Sequence, residues 1–242
     1  MKTSFSVLAA LALSLTLSAC STPSPESLAQ RDPWEKTNRE VFDFDIKLDH
    51  AVARPIAKGY RAVVPEIARD GVHNVLTNLN SPVILANDVL QGDGDKAVNT
   101  LGRIVINSTV GLGGLIDVAG KIGIPYHDND MGITLGKAGI QEGSYLVLPF
   151  VGPQPPRDLL GGAVDNAFDP LTYAQFHGKD TWMVVRFGLG VLDTRTSQLD
   201  AVETIERSSI DFYATTRNLY RQSRNAKINE GKANGADDLP NL

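Results

Sequence analysis

Apolar positions recur every three to four residues along most of this chain, and that period predicts a mainly α-helical body. Val72, Val75, Leu76 and Leu79 follow i, i+3, i+4, i+7 spacing, which predicts an amphipathic helix over 66–80. Pro82 has no N–H to donate, so an interruption is expected there, with the helix resuming from Val83 to Leu90. Upstream, Trp34 to Val52 sets Trp34, Val41, Phe42, Ile46 and Leu48 among charged residues, and Asp32-Pro33 reads as an N-cap followed by a first-turn proline. Lys96 to Asn107 places Val98, Leu101 and Val105 on one face. Val202, Ile205, Ser209, Phe212, Thr216 and Leu219 mark one side of a long C-terminal helix. The middle breaks this rhythm. Residues 111–162 hold GLGG, GIP, MGITLG, GIQEGS, LPFVGPQPP and GG, a composition for compact irregular backbone joined by short helices. Within it, Tyr145 to Phe150 (YLVLPF) suits a strand or a buried helix end, and periodicity does not choose between them.

The two ends differ from the body. Lys2, the apolar run Phe5 to Leu17 and the small pair Ser18-Ala19 have the layout of a secretory signal peptide over 1–19. Leu17-Ser18-Ala19-Cys20 resembles the bacterial lipobox, which would place a lipid on Cys20. Cys20 is the single cysteine, so a disulfide within the chain is excluded and the thiol has no other structural partner. Ser21 follows where an Asp would signal retention at the inner membrane, which points to the outer membrane. Residues 20–31 read as a flexible lipidated tether, and 228–242 as a disordered tail without apolar content. A helical domain is expected over 32–227.

Charge and motifs narrow the chemistry. The whole chain carries −5, and losing Lys2 makes it one unit more acidic, which argues against nucleic-acid binding. Gly111-Leu112-Gly113-Gly114 follows an apolar run, but Ile116 stands where a dinucleotide fingerprint needs its third glycine. His127, Asp128 and Asp130 are too few for a metal site and read as a solvated loop. No G-x-S-x-G or H-E-x-x-H occurs, and Arg157-Asp158 with Asp165 reads as caps and structural ion pairs rather than an acid–base pair. No cofactor is expected.

Three strings resemble the VacJ/MlaA family of outer-membrane lipoproteins: DPWEKTNREVFDFD (Asp32 to Asp45), LGRIVINSTVGLGGLIDVA (Leu101 to Ala119), and DMGITLGKAGIQEGSYLVLPFVGPQPPRDLLGGAVD (Asp130 to Asp165). Asp169-Pro170, Arg54-Pro55 and Val64-Pro65 add to them, and a weaker match runs from Ser209 to Arg224. Asp45 departs from the family's usual Asn, and Ser209-Ile210-Asp211-Phe212 lacks the expected Asp-Pro-Tyr order. The resemblance implies a ring-shaped helical body in one leaflet, with a central amphipathic channel. It also implies partners: phospholipid taken from the outer leaflet, a trimeric porin alongside, and a soluble periplasmic carrier that receives the lipid.

A 12-residue helix is about 18 Å long, short of the roughly 30 Å hydrocarbon core, so helices of this size suit one leaflet. Irregular backbone at that depth must line a wet channel or lie inside the protein. The channel wall or gate is therefore expected in Gly132 to Gly152, at Gly132, Thr134, Gly136, Gly139, Gly143, Tyr145, Leu146, Leu148, Pro149 and Gly152. Headgroup contact is expected from Lys137 or Arg157. By the resemblance, Asn38 and Arg39 would fix the first helix, and Phe42, Phe44 and Asp45 would hold the channel's resting state. Trp34, Phe42 and Phe44 either sit in the headgroup zone or pack in the core. An outer-membrane phospholipase and a structural envelope lipoprotein are the competing readings.

Overall fold

A computed structural model of the protein describes residues 23–230. The signal peptide, Cys20 and the tail beyond residue 230 lie outside the described residues. Helix makes up 72%, about twice the share of an ordinary domain, which places the fold in the mainly α class. Helix α1 (Pro25–Ala29) is followed by α2 (Glu35–Leu48), one wider π turn (Asp49–Ala53) and α3 (Arg54–Val63). Then come α4 (Glu66–Leu90), α5 (Gly94–Thr109), the short α6 (Val118–Lys121) and α7 (Met131–Lys137). Strands β1 (Val147–Leu148) and β2 (Gly152–Pro153) form an antiparallel hairpin. The chain ends in α8 (Pro156–Phe168), a 3-10 turn (Pro170–Thr172), α9 (Lys179–Ser197), α10 (Leu199–Ser208) and α11 (Phe212–Asn229).

Several expectations are corrected. The tether reading covered 20–31, but α1 is ordered inside it: Ser27 is buried and its carbonyl accepts from Asp32 N at 2.8 Å. Helix α2 begins at Glu35 without a side-chain cap, because the Asp32 carboxylate is committed to the core. The helix does not end near Val52. It widens through the π turn, where Arg54 N–H reaches back to Asp49 O, and runs on into α3. That wider turn makes room for Pro55, whose ring would otherwise crowd the preceding turn. Pro82 does not interrupt α4, which is one helix of 25 residues. The proline removes only the donor for Asn78 O, and Ser81 Oγ donates to Thr77 O beside it at 3.0 Å. The C-terminal stripe is not one helix: Ser209 to Asp211 break it, and Asp211 caps α11 by accepting from Ala214 N. Within the YLVLPF segment, Val147 and Leu148 form a strand, and Pro149 and Phe150 begin the turn that follows it.

The amphipathicity of α5 is reversed. Val98, Leu101 and Val105 are exposed (70%, 50% and 54%), while Thr100, Arg103 and Asn107 are buried. Arg103 donates to Ile124 O at 2.7 Å and to Asp117 at 2.9 Å, and Asn107 Nδ2 donates to the same carboxylate at 2.9 Å. The glycine-rich loop is wound tightly on this helix, since a Cβ on Gly111 would lie 2.4 Å from Ile116 O. It is a close chain turn that leaves Leu112, Leu115 and Ile116 exposed. The same inversion recurs elsewhere. Among the described residues, Asp32, Asn38, Asn87, Asp88, Arg157 and Arg217 are buried, while Leu159, Leu160, Val184, Val185 and Phe187 are exposed. One small aromatic core, Phe42, Tyr145, Val147 and Tyr213, joins α2, the hairpin and α11. Among the described residues, no helix is long and apolar enough to cross a membrane.

Candidate functional site

A cavity with a volume of about 810 Å³ lies among α4, α8, α9, the hairpin tip and the loop before α7. Helix α9 gives it Met183, Phe187, Gly190, Val191, Thr194, Arg195 and Gln198, positions that repeat with the helical period and so share one face. Leu76, Asn80 and Val83 come from α4, Asp165 and Asn166 from α8, and Phe150 and Val151 from the hairpin tip. The wall is therefore two-sided in character: α4, α9 and the hairpin tip bring apolar side chains, while α8 and the 128–130 loop bring amides and charges, joined by Asn80 from α4 and by Arg186, Thr194 and Arg195 from α9. A smaller apolar slot of about 140 Å³ adjoins it between α4 and α9, lined by Val72, Val75, Leu79, Leu115, Trp182 and Leu189. Leu76 and Arg186 border both spaces.

The charges on the cavity wall are nearly all paired. Arg186 bonds Asp169, Arg195 donates to Asp49 at 2.9 Å, Arg224 donates to Asp130 at 2.8 Å, and Lys227 donates to Asp128 at 2.6 Å. Burial alone would push the Asp130 carboxyl up, but the Arg224 hydrogen bonds and charge more than offset it, and the group sits below its ordinary value. Asp165 accepts from Asn87 Nδ2 at 2.8 Å and from Met131 N at 3.1 Å. Burial, with the nearby Asp130 charge, pushes the Asp165 carboxyl up.

The wall residues expected from the sequence lie elsewhere. Of the segment 132–152, only Phe150 and Val151 reach the cavity. Gly132, Gly136 and the neighbouring Gly161 are sites of close helix approach instead: a Cβ on Gly161 would lie 2.5 Å from Gly132 N, and one on Gly136 would meet Ile228. Gly139, Gly143 and Gly152 take positive φ at turns. Thr134 donates to Asn87 Oδ1 at 2.7 Å. Tyr145 is buried in the aromatic core, and Leu146, Leu148 and Pro149 are half-buried in the hairpin. The two cations expected at the headgroup also lie away from this cavity. Lys137 donates to Gln91 at 2.7 Å, and Arg157 is buried against Asp158, so neither lines the cavity. The cations that do, Arg186 and Arg195, lie on α9, a helix that the apolar period does not predict. The signal was the 183, 187, 190, 191, 194, 198 stripe, masked by the apolar residues on the other faces.

The first-helix residues are brought together with the hairpin. Asn38 donates to Asp32 at 2.8 Å and to Tyr145 O at 3.0 Å, and it accepts from Val147 N at 3.0 Å, so it holds β1 in place of a ladder partner. Arg39 forms a two-pronged pair with Asp211 at 2.7 and 3.0 Å, which takes that carboxyl down to about 2. Phe42 is in the core, while Phe44 is exposed, edge-on to Phe150, and Trp34 is exposed too. Asp45 accepts from Phe150 N at 2.9 Å, its other oxygen is buried without a partner, and burial raises its carboxyl. Phe150 itself has φ 66°, a left-handed conformation that costs a non-glycine residue roughly 1–2 kcal/mol. His127 bonds Asp88 at 2.8 Å, so the 127–130 group is divided among separate partners.

A sequence model of the MlaA lipoprotein family matches residues 30–227. The intermembrane phospholipid transport system lipoprotein MlaA of Haemophilus influenzae is 33% identical over 231 residues, 93% of this chain and 91% of that one. The protein of the same name in Escherichia coli is 33% identical over 232 residues, 93% and 90% of the two chains. A solved chain, from work on the structural basis for maintenance of bacterial outer membrane lipid asymmetry, superposes with TM-score 0.73 at 33% identity, covering 82% of this chain and 99% of that one.

Proposed function

The chain belongs to the MlaA lipoprotein family, and from that premise we propose that it removes phospholipid from the outer leaflet of the outer membrane through the two-sided cavity, maintaining lipid asymmetry. Related chains serve as lipoproteins of an intermembrane phospholipid transport system, and this chain does the same work without a catalytic step. A lipid on Cys20 holds it at the periplasmic side. A porin stands beside it, and a soluble periplasmic carrier accepts the lipid. One observation carries the reading: a polar interior lies under an apolar surface, as on α5. In water, each large apolar side chain left exposed forgoes about 1.5–3 kcal/mol, and contiguous patches of this kind mark membrane contact. The short helices and internally bonded backbone suit one leaflet.

Within this reading, the apolar side of the cavity, Phe187, Val191, Val83 and Phe150, meets acyl chains, and the polar side meets the headgroup. The Asp45 and Phe44 contacts with Phe150 set the position of the hairpin tip at the cavity edge. The decisive test is a plug. Gly190 lines the cavity, and a Cβ there meets nothing within 4 Å, so Gly190→Trp fills the space without a backbone clash. In cells whose own copy is deleted, the unaltered protein is expected to lower outer-leaflet phospholipid, and the Gly190→Trp protein, present at equal level in the membrane, to leave it high. Equal activity of the two proteins overturns the proposal.

A further inference from the structure

Six charged side chains line the large cavity, and five of them have an opposite charge within bonding distance: Asp128, Asp130, Asp169, Arg186 and Arg195. The sixth, Asp165, forms no ion pair among the described residues. Its partners are an amide and a backbone N–H, which hold its orientation but leave its charge uncompensated. Arg224 acts on it through space but is already bonded to Asp130 and Asp158. The side chain is only partly buried and lines the cavity together with Asn166 of the same helix.

We propose that Asp165 is the binding site for a primary ammonium on a zwitterionic phospholipid headgroup, so that the cavity favours an ethanolamine lipid over an anionic one. The inference rests on the reading of the cavity as a lipid path. A two-sided cavity of about 810 Å³ gives the ammonium a carboxylate with free lone pairs while the acyl chains keep the apolar wall. An anionic headgroup brings a net negative charge towards that same carboxylate. Burial and the nearby Asp130 already hold the Asp165 carboxyl above its ordinary value, so an arriving cation relieves a standing penalty.

The test uses the full acylated protein incubated with vesicles of equal phosphatidylethanolamine and phosphatidylglycerol, followed by re-isolation and quantification of the bound lipid. The unaltered protein is expected to hold ethanolamine lipid in about fivefold excess or more, as a charge-assisted bond of ordinary strength gives. Asp165→Asn, which keeps the acceptor for Asn87 and Met131, is expected to hold the two lipids in the vesicle ratio. Because that variant bears on packing, a second arm uses the unaltered protein with N-acetylated phosphatidylethanolamine, where the excess is expected to vanish. A third arm adds excess free ethanolamine: displacement of the bound lipid's preference without loss of total lipid supports the ammonium site. Lipid bound in the vesicle ratio, an excess surviving N-acetylation, or an excess kept by Asp165→Asn overturns the inference and leaves the transport reading intact. No bound lipid of either kind overturns both.

Discussion

Asp32 is fully buried and accepts hydrogen bonds from Asn38 at 2.8 Å, Tyr213 at 2.5 Å and Arg217 at 2.8 Å. Those three donors come from two helices, α2 near the start of the described chain and α11 at its end, so one carboxylate ties the start of the body to its end. Removing it leaves Arg217, itself only 5% exposed, with the longer contact to Glu35 at 3.8 Å as its one remaining ion pair among the described residues. Asp32→Ala is therefore expected to cost about 3–5 kcal/mol, read as a drop in the denaturation midpoint of the detergent-solubilised protein. A loss below 1 kcal/mol would show that the cluster is solvated. Aspartate at this position reads as a helix cap in the sequence because cap and core hub need the same short carboxylate. Only the partners, contributed from α11, separate the two roles.

At the scale of elements, α11 works as a strap. Arg217, Arg221, Arg224 and Lys227 recur on one face and reach Asp32, Glu142, Asp130 with Asp158, and Asp128, which belong to four separate stretches of chain. The Asp158 carboxyl, like Asp130, would be pushed up by burial, but its bonds to Arg157, Tyr220 and Arg224 bring it below its ordinary value. The sign of the pH effect follows. A carboxyl lowered on folding stabilises the fold fully above its unfolded value of about 3.9, and that stability is lost as pH falls through the lowered folded value. Acid unfolding of the unaltered protein is therefore expected to set in below about pH 4, and Arg224→Gln to shift the midpoint to higher pH. An unmoved acid midpoint would remove the strap from the account. Helix α5 makes the opposite kind of prediction. Exchanging Val98, Leu101 and Val105 for Asn, Gln and Asn changes only its exposed face. Stability in detergent is expected to hold within about 0.5 kcal/mol for each change, while partition into vesicles falls. Destabilisation well beyond that would mean that this face packs on protein.

For the whole molecule, the apolar slot between α4 and α9 supplies a depth gauge. The chain contains two tryptophans, and Trp182 lines this slot. In Trp34→Phe protein bound to vesicles, the remaining Trp182 emission is expected to be quenched strongly by bromine on the lipid tails and weakly by acrylamide in the water. The reverse pattern would place the slot in water and remove the half-immersed arrangement. The polar interior and apolar exterior, the two-sided cavity and the hairpin tip at its edge are properties of the assembled helices, since no single element contains them.

The helical class was legible because the 3.6-residue period survives in the sequence whichever face is buried. The family strings were legible for a related reason: Asp32, Asn38 and the glycines at 111 and 114 occupy places where few other residues fit. Which way each stripe points was not legible. Val98, Leu101 and Val105 form the same pattern whether they face a protein core or the exterior, and only the packing of Arg103 and Asn107 onto Asp117 decided it. Nor did composition distinguish glycines that line a channel from glycines that let helices touch, because both need a missing Cβ, and Gly132 against Gly161 is resolved only by the neighbour each one meets. Local sequence thus determined the elements and their turns. The tertiary structure alone decided inside from outside, and with it the wall of the cavity, because facing is set by contacts between residues far apart along the chain.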